Sequence, residues 1–126
     1  MFEIQQLVSI FLQLVTGIMN VFATAKSMEE LEEKIQRLVQ KITGQLLEWL
    51  LNKMDARLAK DMEPGKYENK GIRSRTLVTT VGEIEIRRRY YRELETGRYC
   101  FLLDETLGLE PRKRISPRLE KMMLEM

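Results

Sequence analysis

With 126 residues, 21 Lys/Arg against 19 Asp/Glu, one cysteine and no histidine, the chain fits one modest domain, or one domain with an appended helical segment. The single Cys100 forms no internal disulfide. Too few Cys and His are present for a structural zinc site, and histidine-based acid–base catalysis and His-containing triads are excluded. The net charge of +2 names no partner, but its distribution is uneven. Residues 1–65 hold 7 basic and 9 acidic side chains, and residues 66–114 hold 12 and 8, so the basic character lies in the second part of the chain.

Ile4 to Ala25 carries no charge. Gln5, Gln6, Ser9, Gln13, Thr16, Asn20 and Thr24 interrupt it too often for a bilayer span, and Glu3 without a basic leader argues against a signal peptide. No membrane partner is expected, and the expected location is cytoplasmic. Ile4, Leu7, Val8, Phe11, Leu14, Val15, Ile18 and Phe22 recur at three- and four-residue spacing and predict a helix with a wide apolar stripe. Ser27 with Glu30 reads as a capping box that starts a second helix near Met28. Leu31, Ile35, Leu38, Ile42, Leu46, Trp49 or Leu50, Met54 and Leu58 carry its apolar face. Unbroken to Asp61, this helix is about 34 residues and roughly 50 Å long. The two helices form an antiparallel hairpin or a coiled-coil dimer, both of which the spacing permits. Residues 1–62 are thus a helical assembly region, with Leu7, Phe11, Leu14, Ile18, Leu31, Ile35, Leu38, Ile42 and Trp49 as candidate oligomerisation contacts.

Pro64, Gly65, Asn69 and Gly71 mark residues 63–71 as a linker. Residues 72–115 read as a three-stranded antiparallel meander. Leu77, Thr79 and Val81 alternate with Thr76, Val78 and Thr80 on a first strand. Gly82 supplies a hairpin glycine, and Ile84 and Ile86 open a second, basic strand. Glu95-Thr96-Gly97 is the next turn, and Tyr99 to Leu103 is a short apolar third strand in which Cys100 serves as a small buried hydrophobe. Alternation puts Ile84, Ile86, Arg88 and Tyr90 on the core face and Glu85, Arg87, Arg89 and Tyr91 on the other. Outward arginines beside a phenol suit phosphates and bases. The same pattern also fits a solvated face with cross-strand ion pairs.

Asp104 to Leu109 reads as a short helical turn ended by Gly108, followed by the basic loop Arg112-Lys113-Arg114. Ser116-Pro117 then starts a last helix over residues 116–126, whose apolar pattern reaches Met126 as though it continued in a longer chain. The fold class is therefore α+β: an N-terminal helical hairpin with a long second helix, a small meander, and a C-terminal helix cut short. No nucleophile–base pair, metal cluster or glycine-rich phosphate loop is present. No catalytic residue, metal, cofactor or small-molecule substrate is expected.

The strings TLVTTVGEIEIRRRYYRE, TGRYCFLLDETLGLE and RISPRL resemble the N-terminal region of ISLre-type insertion-sequence transposases, bacterial proteins also grouped as an uncharacterised family. The resemblance is carried by Thr76, Gly82, Arg88, Arg89, Tyr90, Tyr91, Thr96, Gly97, Leu103, Asp104, Glu105, Leu107, Gly108 and Leu109, and more loosely by Ser27 to Leu58. It implies a mobile-element protein whose full-length form joins DNA with a carboxylate-bound metal pair located beyond Met126. Asp104 and Glu105 are read instead as an N-cap and a first-turn acid. What remains is a non-enzymatic module for subunit assembly and for contact with the element's terminal repeats. The candidate DNA residues are Arg87, Arg89, Tyr91, Arg92, Arg112, Lys113 and Arg114. The alternative is a homo-oligomeric helical module without DNA binding of its own.

Overall fold

The computed structural model describes residues 4–125; Met126, read above as the end of an apolar pattern, lies outside the described residues. The order of elements is α1 (Ile4–Thr24), α2 (Met28–Asp61), β1 (Tyr67–Thr79), β2 (Gly82–Glu93), β3 (Tyr99–Cys100), α3 (Leu102–Leu107) and α4 (Pro117–Leu124). The α+β class is as expected. The chain divides into two compact units, Met1–Trp49 and Leu50–Met126. The division falls inside α2 rather than at the proposed boundary of 62, because the last turns of α2 bond to the sheet.

The first unit is an antiparallel helical hairpin. Gln45 Nε2 donates to Gln13 Oε1 at 3.0 Å and Lys34 Nζ to Thr24 Oγ1 at 2.8 Å. Between these points, a Cβ on Gly17 would lie 2.4 Å from Leu38 Cδ1. The end of the Leu38 side chain fills the space that a side chain on Gly17 would take. Ser27 Oγ accepts from Glu30 N at 3.1 Å, as a capping residue should, but the Glu30 carboxylate returns to Lys26 N at 3.2 Å instead of closing the box on Ser27. Its hydrogen bond to Lys34, then that to Lys26, holds the Glu30 carboxyl below its ordinary pKa. Leu7, Leu14 and Leu38 are half-buried, and Val21, Ile42 and Trp49 are buried. Phe11, Ile18, Leu31 and Ile35 stay exposed, so the proposed oligomerisation set divides between an inner and an outer face. By length and composition α1 would reach across a bilayer.

In the second unit the sheet has the order β1-β2-β3 with antiparallel pairing throughout. Leu77 pairs with Ile84 and Thr79 with Gly82, so Thr80 and Val81 form a two-residue turn. Gly82 sits at φ 105°, and Thr79 Oγ1 ties the turn by donating to Gly82 O at 2.8 Å. The core holds Leu51, Leu77, Ile84, Ile86, Tyr91, Cys100 and Leu103; Leu77, Ile84 and Ile86 follow the alternation read from sequence, whereas Tyr91, read as outward, is buried on the other face.

Three boundaries differ from expectation. β1 begins at Tyr67, inside the stretch read as a linker. Gly71, at φ 104°, belongs to an irregularity between Asn69 and Ile72 within a continuing strand, where glycine absorbs a bulge rather than ending the element. β3 stops at Cys100, and Leu102 and Leu103 enter α3, which buries Leu103 completely. On α2 the buried stripe shifts by one residue. Of the two residues read at one position, Trp49 is buried and Leu50 exposed; beyond it Leu51 and Asp55 are buried and Met54 is exposed, and Asp55 meets the Arg89 cation. The predicted C-terminal end of α3 and the start of α4 hold: Gly108 caps α3 at φ 70°, and Ser116 Oγ accepts from Leu119 N at 3.2 Å ahead of Pro117, whereas α4 stops at Leu124 with Glu125 as its C-cap.

Replacing Gly17 with valine forces Leu38 aside and is expected to cost about 1–3 kcal/mol in urea unfolding followed by circular dichroism. Leu38→Ala in the same chain should recover part of that loss. An additive double variant would show that the helices do not meet at this point.

Candidate nucleic-acid interface

The basic strand β2 was expected to present Arg87, Arg89 and Tyr91 together. Arg87 is exposed, but the other two are not available. Tyr91 is only 2% exposed, packed edge-on against Tyr67 with ring centres 5.9 Å apart, and its buried hydroxyl makes no hydrogen bond to the described residues. Burial, and then the Asp55 carboxylate, push this phenol above its ordinary pKa. Arg89 is held by Asp55: Oδ2 accepts from Nη1 at 2.8 Å, and the carboxylate also accepts the Arg89 backbone N–H at 3.2 Å. The end of α2 therefore covers this strand face, and Tyr91 cannot stack on a base. Arg92 lies 3.8 Å from Glu68. The sequence did carry a signal for this cover. Asp55 follows Leu51 by four residues and precedes Leu58 by three, which is a charge on an apolar stripe and calls for a buried cation.

The opposite face of the sheet forms a broad, open concavity of about 1300 Å³. Arg75, Arg88, Arg98, Arg112, Lys113 and Arg114 line it, against Glu83, Asp104 and Glu105. Asp104 is buried between two guanidiniums. Arg88 Nε reaches Oδ1 at 3.2 Å, Arg88 Nη2 reaches Oδ2 at 3.2 Å, and Arg75 Nη1 reaches Oδ2 at 3.1 Å. The N-cap of α3 is Phe101, and no side chain caps it. Asp104 is thus the anion of a buried ion cluster and not the cap proposed from sequence. Glu105 points away and pairs with Arg98 at 2.8 Å.

Aromatic rings cross the same concavity. Tyr90 lies 4.6 Å from Phe101 and 5.4 Å from Tyr99, the latter pair stacked within 21°. The Arg88 guanidinium sits 3.7 Å from the Phe101 ring centre and that of Arg73 lies 5.6 Å from Tyr90. Tyr99, Phe101, Tyr90, Arg73 and Arg75 were absent from the sequence-based site. Their signal was the alternation Tyr99-Cys100-Phe101, which puts both rings on the side opposite the buried cysteine. Burial raises the Cys100 thiol above its usual range, so it stays protonated at neutral pH.

The basic loop is fixed to the sheet by its backbone. Val78 N donates to Arg114 O at 2.6 Å and Ser116 N to Val78 O at 2.9 Å, forming a parallel bridge along the free edge of β1. Arg75 Nη2 donates to the Glu110 and Lys113 carbonyls at 2.6 and 2.5 Å. The Lys113 ammonium is occupied by Glu120 at 2.9 Å and Glu110 at 3.5 Å, and its hydrogen bond to Glu120 raises its pKa. Among the described residues the exposed side chains of Arg112 and Arg114 make no ion pair. Arg112 has φ 68°, an uncommon conformation for a residue with a side chain. No group of three Cys, Asp or Glu side chains among the described residues is placed to share a metal ion.

A small α+β module with a basic, ring-lined sheet face is what the geometry defines. Residues 22–126 match the model of the uncharacterised protein family UPF0236, and the chain belongs to that family. It is 34% identical over 113 residues to the UPF0236 protein in the vanSb 3′ region of Streptococcus gallolyticus, covering 88% of this chain and 25% of that protein. A UPF0236 protein of Caldanaerobacter subterraneus subsp. tengcongensis is 29% identical over 114 residues, covering 85% of this chain and 24% of that protein. The chain therefore spans about a quarter of the length of these relatives. No solved structure matches it.

Asp104→Ala leaves Arg88 and Arg75 without their buried counter-charge, and a loss of about 3–5 kcal/mol in urea unfolding is expected. Glu105→Gln, which breaks only the exposed pair with Arg98, should cost less than about 1 kcal/mol. Equal effects from the two variants would refute the buried cluster as a structural hub.

Proposed function

We propose that the chain is a non-catalytic module of an insertion-sequence transposase that contacts the DNA of its element through the concave sheet face and the loop after α3. The observation that carries this reading is the pair Arg112 and Arg114. They are exposed and free of ion pairs among the described residues, Arg114 is bonded to β1 through its backbone carbonyl, and both line a concavity with more basic than acidic side chains. Backbone strain at Arg112 agrees with a functional loop. The family match brings the resemblance to ISLre-type transposases no further than UPF0236. However, the Caldanaerobacter relative bears eleven locus labels under one protein name, and repeated copies in one genome are what a mobile element leaves behind. On this reading the catalytic carboxylates belong to other parts of a full-length transposase.

Duplex DNA carrying the element's terminal repeat should bind in a fluorescence-anisotropy titration with affinity that falls steeply with salt. An Arg112→Ala, Arg114→Ala variant should bind more weakly at low salt and show a log–log salt slope reduced by about 2, one for each phosphate no longer neutralised. Unchanged affinity and slope in the variant would remove the loop from the interface.

A second reading, compatible with the first, is that the helical unit assembles copies of the chain. It is favoured by the outer face of α1, where Phe11 is 63% and Phe22 90% exposed on a helix without charge, an uncommon amount of apolar surface to leave in water. Multi-angle light scattering should then give at least twice the monomer mass, with Phe11→Glu, Ile18→Glu returning the monomer. A monomer across a wide concentration range would sink this reading.

A further inference from the structure

The rings of Phe101, Tyr90 and Tyr99 form a ladder whose two ends differ. At the inner end the Arg88 guanidinium covers Phe101 at 3.7 Å, and Arg88 is itself locked on buried Asp104. The middle rung, Tyr90, is half-buried, with Phe101 at 4.6 Å and Tyr99 at 5.4 Å. At the outer end Tyr99 is 51% exposed and, among the described residues, stacks on no ring besides Tyr90. The ladder is therefore rigid where it is anchored and unfilled where it meets the concavity. Exposing half of a tyrosine on a preorganised stack costs apolar burial, and a flat ligand laid on it would recover that burial.

We propose that Tyr99 is a seat for an unpaired nucleobase, so that the DNA taken by this face is single-stranded or locally melted. The inference rests on the DNA-contact reading and narrows it. Every base has a π-face, but in a duplex both faces are already covered by neighbouring base pairs, so an exposed ring discriminates in favour of unpaired bases without reading sequence. The accompanying cations suit the backbone of such a strand. Arg112 and Arg114 line the same concavity as Tyr99, and Arg73 flanks the middle ring at 5.6 Å. The acidic side chains on that wall are mostly neutralised: Asp104 by Arg75 and Arg88, and Glu105 by Arg98. Glu83 remains without an ion pair among the described residues and repels any phosphate placed beside it.

The test is an anisotropy titration of the whole chain with a short labelled single strand and with the same sequence as a blunt duplex. A second single strand carries the fluorescent base 2-aminopurine at one unpaired position. The single strand should bind more tightly than the duplex, and 2-aminopurine should be quenched on binding. Tyr99→Ala should lose roughly tenfold on the single strand and little on the duplex, while Tyr99→Phe keeps wild-type affinity. Equal or tighter duplex binding, or an equal loss on both ligands in Tyr99→Ala, overturns the nucleobase seat and leaves the DNA contact standing. Absence of quenching with the wild-type chain overturns the seat even if Tyr99→Ala fails to fold. Failure of both ligands to bind at low salt overturns the DNA contact as well.

Discussion

Two guanidiniums converge on one buried carboxylate, and most of the sheet unit depends on that meeting. Asp104 projects from α3, Arg88 from the middle of β2 and Arg75 from β1, so a single anion ties together three elements that are distant in sequence. Removing two cations and an anion from water is costly and is tolerated only when the remaining donors are also satisfied. They are satisfied by backbone carbonyls. Arg88 Nη1 donates to Arg73 O at 2.8 Å, and Arg75 Nη2 serves Glu110 and Lys113. The surplus positive charge of the cluster thus faces carbonyl dipoles of the loop. Through these bonds the ion cluster fixes the path of residues 110–113, and hence where Arg112 and Arg114 stand.

The same cluster sets the aromatic ladder. Arg88 both binds Asp104 and lies over Phe101, so the ring that closes the ladder at its inner end packs on a side chain that a buried ion pair holds in place. A site built on paired strands and a locked side chain is more exact than one built on a loop alone. Here a loop is added at the rim, and its backbone is pinned to β1 through Val78. This pinning also occupies the free edge of β1 at Val78, near its end.

Much of the fold could be read from the residues. Apolar spacing gave both long helices, alternation gave the faces of β1 and β2, and Ser116-Pro117 and Gly108 gave their caps. The errors share one cause. Each involved a residue whose local preference was overridden by a distant partner. Gly71 looked like a chain break but is taken up in a bulge of a paired strand. Leu102 and Leu103 looked like a strand but turn into α3, which carries Asp104 toward Arg88. Asp104 looked like a cap, since Asp is a favoured capping residue, but here it is a buried counter-ion. Leu50 and Met54 looked like the inward face of α2 until Asp55 is seen to require Arg89. Local pattern carries no record of which charge will meet which.

The run Arg87-Arg88-Arg89 shows the consequence for function. In the sequence it is the densest block of positive charge, and it suggested a phosphate-binding strand. In the fold the three side chains have separate fates: Arg87 is exposed, Arg88 is buried against Asp104, and Arg89 is held by Asp55. Two of the three charges are thereby spent inside the structure, because alternation along a strand sends neighbours to opposite faces and each of these faces supplies a carboxylate. Besides Arg87, the unpaired charge lies where the backbone is irregular. On the loop of residues 112–114, Lys113 is taken by Glu120 and Glu110 while Arg112 and Arg114 are left free of ion pairs among the described residues. A basic run therefore predicts a polyanion surface only after its internal counter-ions are subtracted. Here that subtraction moves the proposed interface from Arg89 of the strand to the loop and the ring-lined hollow beside it.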